Sequence, residues 1–413
     1  MFHFPHRGGI LTENRYMKLI LIFLCVVSSL EAFAFDPKLI SIRQDVEKTA
    51  IRYFLDHSHP ETGLVRDKAL NFSNTSAGNN VSSLAATGFG LTVLSHAALM
   101  GRIPMSFARD HVYRTLRFIR DHVPHHKGWL VHFANWETGA RAWNCEFSTI
   151  DTALLVAGAL YAAEVLKDQS ITDLAEDIYE RVDFTSALSD EGNKPAKKTL
   201  SLSWTPEHGW TTYQWEIYAE QKILLILGLG HPTRPLPRET WFAWNRALMG
   251  ITMPLFVHQY SPSFFDFRNF DDGFENYFQA GLKATFLHRN MNREGFWGYS
   301  AGESPNGYSV YSPVNFSTTL CIGCAAGSAM FAPEIVMNDI FSWKNGKYGD
   351  RLWGRYGLVD SVDLNKNWFS PYVLGITKGP EYMSVQNMEG RTSIWKDFMK
   401  IKAVRKAISV IKN

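Results

Sequence analysis

Residues 143–167 read WNCEFSTIDTALLVAGALYAAEVLK, and the second half of this stretch decides the fold. From Thr152 to Leu166 the side chains are almost all apolar or small, with no polar stripe at helical spacing. A helix that is apolar all round has to be covered all round by other protein. SSLAATGFGLTVLSHAALM (82–100) has the same character, as does the end of YQWEIYAEQKILLILGLG (213–230). Other helical patterns are amphipathic: LISIRQDVEKTAIRYFLDHS (39–58), ARDHVYRTLRFIRDHV (108–123), RETWFAWNRALMG (238–250) and FENYFQAGLKATFLHRNM (274–291). Inner apolar helices alternating with outer amphipathic ones predict an all-α fold, a toroid of about ten to twelve helices in hairpins. Aromatic-rich loops at 124–147, 200–213 and 254–272 would gather at one end and form a cleft. Residues 295–330, rich in Gly, Ser and Tyr, predict loops or short strands, and 190–198 a solvated surface loop.

The 413 residues hold 42 basic and 40 acidic side chains, a net charge of +2, which is no nucleic-acid footprint. With 46% hydrophobic residues and no low-complexity linker, residues 35–413 read as one domain. From Met17, a possible true start, Lys18 precedes an apolar run over 19–27, and Ala32-Phe33-Ala34 supplies small residues at cleavage spacing. Residues 1–34 therefore read as an export signal. No later stretch reads as a membrane span, so a soluble periplasmic or secreted protein is expected. Of the cysteines, CIGC (321–324) reads as a local disulfide or two free thiols. No second pair follows at zinc spacing, so no metal or cofactor is expected.

The acids at the head of the opening stretch have different standing. Ser148 is a good N-cap, and Asp151 three residues on can complete a cap-like arrangement. Glu146 precedes the cap and has no such duty. Glu216 and Glu220, four apart, would share a helix face continued by Ile223 and Leu227. An acid on a core-facing stripe has its pKa pushed up by burial, as a general acid near neutral pH requires. Asp266 and Arg268 form a third group, readable as a structural pair or as substrate ligands. Trp136, Trp143, Trp210, Trp215 and His132 lie in the same aromatic loops and could line sugar subsites. The chain lacks G-x-x-x-x-G-K-[ST], a G-x-G-x-x-G after a strand, and G-x-S-x-G. Paired acids, abundant aromatics and an export signal point to glycoside hydrolysis. A lyase or epimerase relying on a Tyr or His base is the less favoured alternative.

TGLVRD (62–67), SLAATGFGLTVL (83–94), GWLVHFANWETGARAWNCEFSTIDTALLVAGAL (128–160) and WTPEHGWTTYQWEIYAEQKILLILGLGHPTRPLP (204–237) carry a family resemblance. So do PLFVHQYSPSFFDFRNF (254–270), FAPEI (331–335), WGRYGLVDSVD (353–363) and GITKGPEYMSVQN (375–387). The chain resembles the bacterial glucoamylase-like family that includes endo-β-1,2-glucanases and the transglycosylase domain of cyclic β-1,2-glucan synthases. The resemblance implies an (α/α)6 barrel and action on a β-linked glucan, with Glu146, Asp151 and Glu220 in the acid-bearing segments. It also exposes departures. Asn135 stands where the family usually carries an acid, HPTRP (231–235) replaces SPTHP, and GESPNG (302–307) replaces DGP. Thr377 and Lys378 replace an acid and an amide, and Gln386 replaces a Glu. The expectation is an exported glycoside hydrolase, with Glu220 and Glu146 as acid/base pair and Asp151 orienting or substituting. A transglycosylase, or a glycan-binding protein of the same fold without turnover, is the rival.

Overall fold

The computed structural model describes residues 36–73, 80–188, 198–245, 250–291, 294–388 and 393–413. The expected export signal and the start at Met17 lie outside the described residues, as does most of 190–198.

Helices dominate, and they fall into two kinds. Leu84–Leu99, Thr149–Leu166, Lys222–Gly230, Leu255–Phe264, Ile322–Ala326 and Gly375–Asn387 are buried along most or all of their length. Pro37–His57, Met105–His122, Gln169–Arg181, Tyr277–Asn290, Pro333–Asn345 and Lys402–Lys412 bury one face only. Among the described helices the kinds alternate along the chain, except that Lys222–Gly230 and Leu255–Phe264 follow one another with only the 3-10 turn Arg238–Phe242 between them. Each buried helix packs on the next, in the order given, and the last, Gly375–Asn387, packs back on the first.

Local chemistry sets where the inner helices begin and how closely they approach. Ser83 and Ser148 cap Leu84–Leu99 and Thr149–Leu166 by accepting from the N–H groups of Ala86 and Asp151. These two helices cross at glycines. A Cβ on Gly158 would lie 2.0 Å from the Gly88 carbonyl oxygen, so the crossing admits no side chain there. Thr149–Leu166 has the length and hydropathy of a membrane span, contrary to the expectation that no such stretch follows residues 1–34. The helix is buried against the rest of the chain.

The helix expected over 213–230 forms only as Lys222–Gly230. Residues 214–221 are held in a non-helical path: Ser201 bridges Gln214, Ile217 bridges Asn245, and the Gln221 side chain accepts from the Ala219 N–H. Glu216 and Glu220 therefore share no helix face. The segment 238–250 begins as a 3-10 turn, Arg238–Phe242, rather than the expected amphipathic helix. The expectation for 295–330 holds: Ala301–Ser304 and Gly307–Val310 form an antiparallel hairpin, and the short helix Ile322–Ala326 follows.

Short strands collect where loops enter the buried helices. Val81–Ser83 pairs with Phe133–Asn135, and Lys68–Leu70 pairs with Tyr372–Leu374. Phe147–Ser148 pairs with Ser203–Thr205. These pairings bring segments remote in sequence to a common end of the helix assembly.

Candidate active site

His132 lies between two acids. Its Nδ1 is 2.8 Å from Glu146 Oε1, and its Nε2 is 3.5 Å from Asp151 Oδ1. The backbone holds the pair in register, since the His132 N–H donates to the Glu146 carbonyl at 2.9 Å. Burial alone would lower the imidazole pKa. The Asp151 and Glu146 carboxylates outweigh it and push the value up to about 9, so the ring is an imidazolium at neutral pH. The hydrogen bond from His132 in turn lowers the pKa of Glu146.

Asp151 does more than continue a cap. The Ser148 hydroxyl accepts from the Asp151 N–H at 3.3 Å and donates to Asp151 Oδ2 at 2.5 Å. One carboxylate oxygen is thus fixed by the capping serine and the other is turned to His132. The side chain is buried, and its charge is felt by His132, Asp67, Glu220 and Tyr260.

Glu220 stands two residues before the helix Lys222–Gly230, in the irregular segment that precedes it. Its carbonyl accepts from the Ser261 hydroxyl at 2.6 Å, which ties it to Leu255–Phe264. Burial pushes its carboxyl up to about 7, Asp151 adds to the shift, and Lys222 opposes it. The raised acid anticipated on a buried helical stripe is present, but a loop delivers it. Glu220 couples electrostatically to Asp151 rather than to Glu146.

Asp67 joins the group from the chain's N-terminal part. Its N–H donates to the Val81 carbonyl and its carbonyl accepts from the Gly375 N–H. Burial lifts its carboxyl to about 6 against the opposing charges of Lys68 and His132, with Glu303 and Asp151 adding to the rise. Lys68 Nζ pairs with Glu303 Oε1 at 2.8 Å. Asp360, also lifted to about 6 by burial, lies beneath the hairpin and accepts from the Glu303 N–H at 2.7 Å, Ser361 at 2.8 Å and Thr377 at 3.2 Å.

The remaining expected site residues divide. Trp143 is 66% exposed with its ring against Phe133, an open platform. Trp210 is half-buried near His126 and Trp129. Trp136 already carries the Arg66 guanidinium on its ring at 3.5 Å and donates to the His57 carbonyl, so that face is taken. Trp215 is buried with its Nε1 on Thr149 at 3.0 Å, a packing contact instead of a sugar platform. Glu216 is exposed on the irregular segment. Asp266 and Arg268 form a bidentate pair at 2.9 and 2.8 Å with the guanidinium over Trp395, the structural alternative. Cys321 and Cys324 form a disulfide, with sulfurs close to Asp360 and Thr377.

Asp67, Lys68, Tyr260, Tyr308 and Asp360 were not singled out by the sequence. A signal for Asp67 did exist: VRDK sets three charges directly after an apolar pair. Tyr260 and Tyr308 carry none, because aromatics are common throughout the chain.

A family model described as "Putative glucoamylase" matches residues 212–402. An exo-β-1,2-glucooligosaccharide sophorohydrolase of Parabacteroides distasonis is 22% identical over 89% of this chain. The chain spans 57% of the length of that relative. The fold is shared with the endo-β-1,2-glucanase of Chitinophaga pinensis, solved with sophorotriose and glucose: TM-score 0.77, 21% identity, 90% of this chain and 98% of that one. A β-1,2-glucanase from Parabacteroides distasonis aligns with a TM-score of 0.80 at 19% identity, over 91% of this chain and 60% of that one. The resemblance drawn from the sequence motifs is borne out by these matches.

Proposed function

We propose that this chain is a glycoside hydrolase acting on a β-linked glucan, β-1,2-glucan first, in the cleft of a closed (α/α)6 barrel. The ring of six buried helices, each packed on the next and the last packed back on the first, supports the barrel. Residues 1–34 would direct export, and 35–413 would act as one domain.

The observation that carries the reading is the pairing of unlike acids. Glu220 keeps its proton to about pH 7, whereas the Asp151 carboxylate coupled to it is held by the Ser148 hydroxyl and the His132 imidazolium. A protonated acid coupled to a carboxylate in so different a setting suits the first to give a proton and the second to act on the other side of the bond. Glu220 would protonate the leaving glycosidic oxygen. Asp151, held by Ser148 and His132 and coupled to Glu220, would act opposite it, with Glu146 holding the imidazole in place. This exchanges the roles first expected of Glu146 and Asp151. The relatives that cleave β-1,2-linked glucose chains support the choice of linkage.

Glycan binding without turnover is the second reading, and one observation favours it. Thr377, where the family carries an acid, donates to Asp360, and Lys378 is buried in an ion pair with Glu381. Those positions serve the fold here. Incubation with linear β-1,2-, β-1,3- and β-1,4-glucans, followed by product chromatography, separates the readings. Cleavage of the β-1,2 polymer, lost in Glu220→Gln and Asp151→Asn, is expected. Binding of the polymer with no product from the unmutated protein would overturn the hydrolase reading in favour of the second. Products larger than the substrate would mark a transglycosylase.

A further inference from the structure

We propose that Tyr308, on the hairpin Ala301–Val310, is a substrate-contacting residue that forms one wall of the glucan-binding cleft. The inference rests on the glycan-acting reading above.

The placement follows from the strand register. Tyr308 lies directly opposite Glu303 in the antiparallel pair. Residues directly opposite one another project from the same face of a two-stranded sheet. The Glu303 side chain reaches Lys68, which neighbours Asp67 in the chain, so Tyr308 leans towards the same acids. The two side chains occupy different depths: Glu303 is 7% exposed and Tyr308 is 54% exposed. The tyrosine is the outer layer, with its ring open to solvent above the buried Glu303 and its half-buried partner Lys68. Its hydroxyl feels the charges of Asp67, Asp360, Asp151 and Glu303, as expected of a group aimed into the acid cluster rather than away from it.

The hairpin is not free to swing. The Glu303 N–H is bound to the buried Asp360, and the Ser304 hydroxyl closes the turn on the Gly307 carbonyl at 2.7 Å. Its inner strand is buried throughout while its outer strand is largely exposed. A ring presented on a fixed support, with a polar tip towards acids and an apolar face towards solvent, suits a sugar: the face stacks on the pyranose and the hydroxyl bonds to a ring substituent. Tyr308 would thereby help to set which glucose unit sits beside Glu220. It lies next to the segment where GESPNG replaces the family's DGP, so the contact belongs to this chain's own version of the cleft.

The test uses the full chain with Tyr308→Phe and Tyr308→Ala, and Tyr113→Ala on the outer helix Met105–His122 as control. Steady-state kinetics are run on β-1,2-gluco-oligosaccharides of graded length, and calorimetric binding of the same oligosaccharides is measured without turnover. Tyr308→Phe is expected to lower kcat/KM about tenfold. Tyr308→Ala is expected to weaken binding by about tenfold or more, with the loss dependent on oligosaccharide length, while Tyr113→Ala matches the parent. Parent-like binding and kinetics in both Tyr308 variants, with an active or binding parent, would overturn this inference alone. A parent that neither binds nor cleaves the oligosaccharides would overturn the underlying reading and this inference with it. Circular dichroism confirms that the Tyr308→Ala variant is folded.

Discussion

Glu220 illustrates how one carboxyl can serve function at a cost to the fold. Its folded-state pKa of about 7 lies well above the ordinary value of about 4.3 for a free glutamate. A general acid works protonated, so kcat/KM should fall as pH rises through about 7. Glu220→Gln should reduce turnover by about 10²–10⁴-fold, the usual contribution of general acid catalysis, and abolish that limb. The same shift has a stability consequence. Between about pH 4.3 and 7 the folded chain binds more protons at this site than the unfolded chain, so stability declines as pH rises across that window. Glutamine carries no charge to desolvate. Thermal unfolding should therefore show Glu220→Gln more stable than its parent at pH 8, with the gap closing near pH 4. A parent that is the more stable at pH 8 would contradict the placement of Glu220. The residue itself was legible in the sequence, as an acid beside an apolar run. Its local structure was not, because a four-residue spacing cannot reveal that backbone bridges to 201 and 245 hold the segment away from helix.

At the scale of elements, the opening stretch was half legible. The apolar helix, its burial and its Ser148 cap follow from composition and spacing. The second use of the cap does not: the Ser148 hydroxyl both receives the Asp151 N–H and donates to the Asp151 carboxylate. Ser148→Ala should cost about 1 kcal/mol in chemical denaturation, as lost caps do. It should also lower kcat by more than that loss explains, since Asp151 would lose the bond that orients it. Equal activity in the variant would assign Ser148 to the cap alone. The close crossing of Leu84–Leu99 and Thr149–Leu166 gives a sharper prediction. Gly158→Ala sets a methyl against a backbone carbonyl that cannot withdraw, so it should destabilise by about 1–3 kcal/mol or more, as overpacked cores do. A helix-propensity argument predicts the opposite sign, because alanine is the better helix former. Urea denaturation of this single variant decides between them.

For the whole molecule, the candidate site is a product of distance in sequence. Asp67, His132, Asp151, Glu220 and Glu303 come from five segments, brought together by the short strands and by the packing of buried helices. No spacing rule links them, which is why Asp67 was overlooked and Glu146 was set above Asp151. Their collective charge predicts the shape of the stability profile. Asp67 and Asp360 are raised to about 6, Glu220 to about 7 and His132 to about 9, so each favours the folded state when protonated. Their contributions are lost as pH rises through those values. The buried histidines act oppositely. His57, His111 and His288 are depressed to about 4 and His258 to about 3 by burial, so their contributions are lost as pH falls from about 6.5 towards those values. Above about pH 6.5 the histidine gain is complete while Glu220 and His132 continue to deprotonate. Lys222, lowered to about 7 by burial, has the opposite slope and gains stability as pH rises above 7. Stability should therefore peak near pH 6.5, with the His132 loss offset by the Lys222 gain between pH 7 and 9. Comparison with His132→Gln isolates the histidine: the variant should gain stability relative to its parent as pH rises from 7 to 9. A difference that stays constant over that range would show that His132 does not sit charged between Glu146 and Asp151.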